Sequence, residues 1–311
     1  MTISVVIPCY NVGEHVEEVI SGLPNEITWI IAVNDCSTDN TESVLLRLQT
    51  ENKKLIYIRH EKNKGVGGAM MTGYKKSLEL KADISIKMDG DGQMDPANIL
   101  DLIRPICDNL ADFTKGNRFK DLKALRSMPF NRRMGNLGLS FLIKAASGYW
   151  NIFDPTNGFT AIRRDALMNV DFNKIDHRYF FESSILIELY YCNAVVMDIP
   201  MTAVYGKEVS GLSPAGSFLK FPPKLIYAMG RRILLKYFLF DFNIASLYII
   251  FGLPLFIFGT VFGIFNFIWY SQQHLAAPTG TVVIPTLLII LGFQLLLSAV
   301  SYDISNYPKR Q

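Results

Sequence analysis

Short apolar segments alternate with amphipathic segments over residues 1 to about 120 of the 311-residue chain. Segments rich in Val, Ile and Leu predict strands at Ile3–Ile7, Trp29–Asn34, Leu55–Arg59 and Ile84–Met88. Helices are predicted between and after them, near Val16–Gly22, Thr41–Glu51 and Gly67–Leu80. This alternation predicts a mostly parallel sheet, with ligands outside the carboxyl ends of its strands. The less regular pattern from about 121 to 210 predicts an α+β segment.

A stretch without Asp, Glu, Lys or Arg runs from Phe242 to Tyr302. It can supply two helices of the roughly 20 apolar residues that cross a bilayer, and we predict them at Ile244–Tyr270 and Val282–Ser301. The alternative, a pair of core helices, is disfavoured because such helices rarely lack charge for so long. Lys and Arg flank the two spans but are absent from the loop between them, which predicts cytoplasmic ends on both sides.

The segment from Ser217 to Phe240 interleaves aromatic and basic residues. This pattern predicts interfacial helices whose Lys and Arg side chains meet lipid phosphates. The alternative is a helix that packs on the N-terminal domain, and Pro222-Pro223 predicts a break in either case. We therefore divide the chain into a cytosolic domain at 1–212, juxtamembrane helices at 213–241, and a transmembrane hairpin with a short cytosolic tail at 242–311.

Composition adds the compartment and the class of partner. Apolar residues make up 50% of the chain and the mean hydropathy is positive, too apolar for an ordinary soluble enzyme. The net charge of +3 is small, and the basic residues lie near the membrane-proximal segments, which indicates anionic lipid or phosphate and no nucleic acid. Four cysteines without a C-x-x-C pair indicate reduced thiols, and the N-terminus lacks the basic region of a signal peptide.

Two carboxylates follow the fourth predicted strand, in Asp89-Gly90-Asp91-Gly92-Gln93. An Asp-x-Asp at a strand end directs two carboxylates into the crevice, where Mg²⁺ or Mn²⁺ prefers oxygen ligands and substrate phosphates. A cation there would neutralise a diphosphate leaving group. The same residues also match an ordinary turn, and the motif alone does not separate these interpretations.

Three further loops carry polar or small residues that could surround the same ligand. Pro8-Cys9-Tyr10-Asn11 follows the first strand, and Asn34-Asp35 follows the second. Asp35 could accept a hydrogen bond from a base or ribose, whereas Thr38 or Asp39 is expected to cap the next helix. Asn63-Lys64-Gly65-Val66-Gly67-Gly68 resembles a phosphate loop without matching a known spacing, and a tight strand-to-helix turn explains it equally well.

Taken in order, these motifs resemble glycosyltransferase family 2, specifically the branch of dolichyl-phosphate mannose synthases and bacterial polyprenyl-phosphate glycosyltransferases. The resemblance rests on Ile7-Pro8-Cys9-Tyr10-Asn11, Asn34-Asp35-x-Ser37-x-Asp39, Asn63-x-Gly65-x-Gly67, Asp89-x-Asp91-x-Gln93 and Asp154-Pro155-x-x-Gly158-Phe159. It covers nearly the whole chain and implies an α/β, Rossmann-like GT-A fold followed by a membrane hairpin. It also implies an inverting hexosyltransferase that takes a UDP- or GDP-sugar and a polyprenyl phosphate, dolichyl or undecaprenyl, and that can form homo-oligomers.

The resemblance assigns roles to individual residues. Asp89, Asp91 and Gln93 are expected to hold Mg²⁺ or Mn²⁺. The nucleotide sugar is expected at Pro8, Tyr10, Asn11, Asp35, Lys64, Gly65, Asp89, Gly90 and Asp91. The acceptor phosphate is expected at Arg118, Arg132, Arg133 and Lys207, because guanidinium groups bind phosphate in a bidentate manner. For Arg132 and Arg133, a solvated or lipid-facing charge pair is the alternative.

Two departures from the family pattern limit what can be transferred. Asn34 stands where the family usually has a first Asp, and Tyr205-Gly206-Lys207 replaces an Arg that precedes a Gly-x-Ser-Lys turn. The second departure argues against a simple transfer of mannose specificity to this chain.

The mechanism expected from these residues is attack by a lipid phosphate oxygen on the anomeric carbon, with Asp89, Asp91, Arg118 and Arg132 as catalytic residues. A phosphate is already anionic near neutral pH, so no strong base is needed. Glu182 could orient the donor sugar or serve only as a helix-start carboxylate. Two rival functions are a transferase that uses a sugar hydroxyl of a glycolipid or polysaccharide, and an inactive membrane scaffold or lipid carrier.

Overall fold

The computed structural model describes residues 1–118, 130–201 and 214–310, with side chains except at 130–136 and 214–220. These residues form two compact units, one of residues 1–228 with 308–311 and one of residues 229–307. Lys207 lies outside the described residues, and Arg132 and Arg133 lie where only the backbone is described. The domain boundaries at 212 and 241 stay predictions.

The first unit contains a seven-stranded sheet with helices between most of its strands. Its strands are β1 Ile3–Cys9, β2 Trp29–Asn34, β3 Leu55–Arg59, β4 Ile84–Lys87, β5 Phe113–Asn117, β6 Thr160–Arg163 and β7 Val196–Pro200. Its helices are α1 Val16–Ser21, α2 Thr41–Glu51, α3 Gly65–Glu79, α4 Ile99–Cys107, α5 Phe130–Ser147, α6 Arg164–Asn169 and α7 Phe181–Tyr191. The four predicted strands and the α/β fold are confirmed.

The strand order is β3-β2-β1-β4-β6-β5-β7. The first four strands along the chain pair in parallel, β6 runs antiparallel to β4 and β5, and β7 is parallel to β5. The carboxyl ends of β1, β2, β4 and β5 therefore lie at one edge of the sheet. Strands β1 and β4 are almost wholly buried, as expected for parallel strands covered by helices, and β4 carries Ile84 and Ile86 on one face and Ser85 and Lys87 on the other.

Helix α8, Pro214–Leu234, corrects one prediction, because it continues through Pro222 and Pro223 without a break. Each proline lacks an N–H and so removes one helix hydrogen bond, but its φ value suits a helix. Within the first unit, Lys224 pairs with Asp176 at 2.6 Å and Phe221 packs on Phe180. This part of α8 thus packs on the N-terminal domain, and the Lys224 ammonium that we expected near lipid phosphates has a carboxylate partner instead.

The second unit holds two long apolar helices, α9 Ile244–Gln272 and α10 Thr279–Ser305, after a π-helical turn at Leu235–Phe240. Both are long and apolar enough to cross a membrane, and most of their large side chains are exposed, unlike those of core helices. They pack antiparallel at glycines: a Cβ at Gly292 would lie 2.5 Å from the Phe256 nitrogen, and one at Gly259 would lie 2.8 Å from Leu288 Cβ. Close approach at small residues is typical of membrane helices.

A buried ion pair joins the two ends of this unit. Arg232 contacts Asp303 through two hydrogen bonds of 2.8 and 2.7 Å, and Tyr237 donates its hydroxyl to the same carboxylate. Lys236 donates to the carbonyl of Asn306 at 2.9 Å. Arg232, which we expected at lipid phosphates, is therefore committed to a partner inside the protein.

Candidate functional site

Two loops at the carboxyl edge of the sheet are joined by hydrogen bonds. The Asn11 N–H donates to Ser37 Oγ at 3.0 Å, and Asn11 Oδ1 accepts from the Thr38 N–H at 2.8 Å. Asn11 is left-handed, with φ of 55°, a conformation that Asn tolerates better than most residues. Tyr10 is half exposed beside it. The loops after β1 and β2 thus form one surface, as their sequence positions predicted.

Asp35 is buried and connects three elements. Its Oδ1 lies 2.7 Å from His60 Nδ1 and accepts the Lys64 N–H at 2.9 Å, while Oδ2 accepts the Gly65 N–H at 2.7 Å. His60 in turn lies 2.9 Å from Thr72 Oγ1 through its other ring nitrogen. A carboxylate at the first N–H groups of α3 is stabilised by the positive end of that helix. Sequence analysis missed His60, whose only signal is its place directly after β3.

Asp39 accepts the first N–H of α2, as expected for a capping side chain, although Asn40 occupies the N-cap position. Its Oδ1 accepts the Thr41 N–H and its Oδ2 accepts the Gly13 N–H, each at 3.0 Å. Desolvation opposes ionisation of this carboxyl, but the hydrogen bonds from Thr41 and Gly13 outweigh it and lower the pKa of Asp39. Asp39 therefore holds the β2 loop in place.

The glycines that open α3 make room for a neighbouring backbone. Gly65 has φ of +82°, and a Cβ at Gly67 would lie 2.1 Å from the Asp176 carbonyl oxygen. The Gly68 N–H donates to the His177 carbonyl at 3.0 Å. Protein packing and a tight turn explain why glycine is needed at these positions. A phosphate contact at Lys64 and Gly65 therefore stays a prediction.

The Asp-x-Asp motif is both a turn and a set of oxygen donors. Asp91 Oδ1 accepts the Gln93 N–H at 3.0 Å, and Gly92 is left-handed with φ of +75°. Across the described ranges 1–118, 130–201 and 214–310, no group of three or more His, Cys, Asp or Glu is placed to hold a metal. Two carboxylates and the amide oxygen of Gln93 are nevertheless hard donors of the kind that Mg²⁺ and Mn²⁺ take together with phosphate oxygens. The donor set fits such a cation.

Lys87, at the end of β4, contacts the first carboxylate of this motif. Its Nζ lies 2.6 Å from Asp89 Oδ1 and 3.6 Å from Glu182 Oε1, in the first turn of α7. Burial disfavours the charged lysine, but Asp89 and Glu182 outweigh this and raise the pKa of Lys87. The signal for it in the sequence is a single charge inside the apolar run from Ile84 to Met88.

Arg118 follows β5 at the same sheet edge and contacts a buried carboxylate. Its Nε donates to Asp154 Oδ2 at 2.8 Å and its Nη2 to Asp154 Oδ1 at 3.2 Å. Asp154 is completely buried, whereas Arg118 is 40% exposed on its side chain. The Asp154-Pro155 motif and the predicted acceptor arginine are thus joined by an ion pair.

Two more charged residues lie on β5 and β7, where the buried Lys115 and the half-buried Asp198 are register partners. Burial lowers the pKa of Lys115 to about 8, against the opposing carboxylates of Glu182 and Asp154. Burial also raises the pKa of Asp198 to about 6. Asp198 Oδ2 accepts the Phe153 N–H at 2.5 Å. Neither residue stood out in the sequence.

Comparison with known proteins gives a family match and similar enzymes. The family model described as glycosyl transferase family 2 matches residues 4–171. UDP-N-acetylglucosamine–dolichyl-phosphate N-acetylglucosaminyltransferase of Methanococcus voltae is 35% identical over 216 residues, which are 65% of this chain and 86% of that protein. Dolichol-phosphate mannosyltransferase of Pyrococcus furiosus is 31% identical over 207 residues, 65% of this chain and 56% of that protein.

Solved structures agree with the fold. Glucosyl-3-phosphoglycerate synthase from Mycobacterium tuberculosis, in complex with Mn²⁺, uridine diphosphate and glucosyl-3-phosphoglycerate, superimposes with a TM-score of 0.54 at 17% identity. The match covers 73% of this chain and 79% of that one. At this level of identity the likeness establishes the GT-A type of fold.

Proposed function

Because the chain belongs to glycosyl transferase family 2, we propose that it transfers a sugar from a nucleotide donor to the phosphate of a polyprenyl lipid at the cytoplasmic membrane surface. The observation that carries this proposal is the meeting of four strand ends at one sheet edge. They bring together the Asp35 loop, the Asp89-x-Asp91 motif and Arg118. These are a candidate base contact, a candidate cation site and a candidate phosphate contact.

The donor is proposed to carry uridine diphosphate. The Methanococcus relative is named for a UDP-sugar, and the superimposed synthase holds UDP with Mn²⁺. Asp35, Tyr10 and Asn11 would bind the nucleoside, and Asp89, Asp91 and Gln93 would hold the divalent cation. When bound, that cation neutralises charge on the diphosphate leaving group.

The acceptor is proposed to be a phosphate because of Arg118. A guanidinium held by a buried carboxylate is fixed in direction, which suits bidentate recognition of phosphate. A lipid phosphate oxygen attacks the anomeric carbon from the face opposite the diphosphate, and the bond from that carbon to the diphosphate breaks with its electron pair. The configuration inverts. No general base is required, since the phosphate is anionic already.

A contact between Arg310 and Asp112 supports the membrane arrangement. Arg310 Nη2 lies 2.5 Å from Asp112 Oδ1, just before β5 in the catalytic unit. Two apolar helices separate residue 228 from residue 308, and the chain then rejoins the first unit. A hairpin that leaves and returns on one side satisfies this contact, and the flanking basic residues favour the cytoplasmic side.

The test is transfer of radiolabelled sugar from UDP-N-acetylglucosamine, and from a panel of other UDP- and GDP-sugars, to polyprenyl phosphate in detergent. We expect product in the organic phase, with the label released by mild acid as from a sugar phosphodiester. Asp91→Asn should lower the rate by about 10²-fold or more through lost charge stabilisation. Transfer of sugar to a glycolipid hydroxyl, with none to polyprenyl phosphate, would overturn the proposed acceptor and support the rival one.

A further inference from the structure

The Lys87 side chain is almost completely buried, with 1% of its surface exposed, beneath the predicted cation site. A buried ammonium is costly unless it is paired. Its partners come from two separate elements: Asp89, in the loop after β4, and Glu182, at the start of α7. Lys87 therefore contacts both the metal motif, through Asp89, and α7, through Glu182.

Gly158, in the Asp154-Pro155-x-x-Gly158-Phe159 motif, makes room for this contact. A Cβ at Gly158 would lie 2.4 Å from Lys87 Nζ and 2.9 Å from Asp89 Oδ2. No side chain fits at such distances without moving the pair. The glycine of one motif therefore leaves room for a carboxylate of another, about 70 residues earlier in the chain.

We propose that Lys87 is a positioning residue that orients Asp89 for cation binding, an inference that rests on the proposed function. Lys87 engages Oδ1 of Asp89, so Oδ2 is the oxygen that Asp89 offers to the cation. Through its second contact, Lys87 also sets the distance between Asp89 and Glu182. Replacing the hydrogen-bonding partner of a metal ligand typically costs about 10- to 100-fold in metal affinity or activity.

A role in charge balance alone predicts the opposite effect on metal affinity. Removing a positive charge close to a cation site reduces repulsion, so Coulomb's law predicts tighter cation binding. Removing an orienting contact predicts weaker binding, because the carboxylate then has to be ordered by the cation itself. The direction of the change separates the two roles.

The experiment is titration of the full-length protein with Mn²⁺ in the presence of UDP, with free Mn²⁺ measured by electron paramagnetic resonance. For Lys87→Met we expect the dissociation constant of Mn²⁺ to rise about 10- to 100-fold. An unchanged or lower dissociation constant would overturn the proposal. Circular dichroism and thermal unfolding establish that the variant is folded.

A second variant tests the same contact without changing any charge. Gly158→Ala should displace Lys87 Nζ and Asp89 Oδ2 from their present positions and also weaken Mn²⁺ binding, by about tenfold. Gly138→Ala is the matched control, because a Cβ there meets nothing within 4 Å. If Gly158→Ala bound Mn²⁺ as tightly as Gly138→Ala, Lys87 would have no positioning role.

The wild-type protein separates failure of this inference from failure of the proposed function. If the wild type binds Mn²⁺ with UDP and glycosylates polyprenyl phosphate, while both variants keep their Mn²⁺ affinity, only the Lys87 inference is wrong. If the wild type neither binds Mn²⁺ nor transfers sugar, the proposed function is wrong and the positioning role falls with it.

Discussion

His60 Nδ1 lies 2.7 Å from Oδ1 of Asp35, and both side chains are buried at the sheet edge where the nucleotide is proposed to bind. The same carboxylate accepts the N–H groups of Lys64 and Gly65, at the start of α3. His60 thereby connects the end of β3, the end of β2 and the first turn of a helix. It is a structural support for Asp35, whatever base the donor carries.

Replacing His60 should therefore affect both stability and nucleotide binding. His60→Asn is too short to reach Asp35 and Thr72 together and should cost about 1–3 kcal/mol of unfolding free energy, from the unpaired buried groups. UDP should also bind more weakly. Urea denaturation and UDP titration measure the two effects, with exposed His274→Asn as the control. Equal midpoints for the two variants would contradict the prediction.

Asp154→Asn should reduce transfer without preventing donor binding. The substitution keeps the size of the side chain but removes the charge that holds Arg118 at 2.8 and 3.2 Å. Misplacing a substrate-aligning group by about an ångström can cost about 10²-fold in rate. Steady-state kinetics with varied polyprenyl phosphate should show the loss, and UDP affinity should stay near the wild-type value. The exposed Asp108→Asn is the control, and a loss confined to UDP affinity would refute the assignment.

The half-buried carboxyl of Asp198 should make part of the stability depend on pH. Its pKa is raised by burial from 3.8 to about 6, so the folded state holds this proton more tightly than the unfolded state does. The contribution of the Asp198 carboxyl to the free energy of unfolding is thus fully present below about pH 4 and is lost as the pH rises from about 4 to about 6. Asp198→Asn should gain stability relative to the wild type across that window, by up to about 3 kcal/mol.

The readout for Asp198 is the difference between variant and wild-type unfolding free energies at each pH, because other carboxyls titrate in the same range. The exposed Asp101→Asn is the control substitution. A difference for Asp198→Asn that does not change with pH would show that the Asp198 carboxyl ionises without cost in the folded protein.

Residues 276 and 309 should lie on opposite sides of the membrane. In a variant without the four native cysteines, Lys309→Cys is expected to react with an impermeant maleimide from the cytoplasmic side, together with the catalytic unit. Ala276→Cys, in the loop between α9 and α10, should react only from the other side. Sealed inverted vesicles provide the measurement, and labelling of both positions from one side would rule out two spans.

Hydrophobic patterning predicted most of the fold because the first four strands are rich in buried apolar residues and the polar loops fall at their ends. Strands β2 and β3 begin and end at the predicted residues, and β4 ends one residue earlier. The two long apolar helices were equally visible, since no charge interrupts the stretch from Phe242 to Tyr302. Pro222 and Pro223 were misleading, because the penalty for proline is local whereas the packing that keeps α8 helical is not.

The candidate site was only partly predictable for a related reason. Asp35, Asp89 and Arg118 could be found because each follows a strand or belongs to a motif. His60, Lys87 and Asp198 owe their importance to partners that are distant in sequence, and no local pattern predicts a pairing such as that of Lys87 with Glu182. Gly67 was ambiguous because the backbone that approaches it belongs to residue 176.

The ion pair of Arg232 with Asp303 has a consequence for biosynthesis. The two residues are 71 positions apart, and the arginine is made first. Asp303 lies at the end of the second apolar helix. When that helix leaves the ribosome, Arg232, which pairs with this carboxylate and precedes the first apolar helix, has already been synthesised. A nascent chain stopped short of residue 303 would keep both hydrophobic segments yet lack the carboxylate that Arg232 contacts in the folded protein.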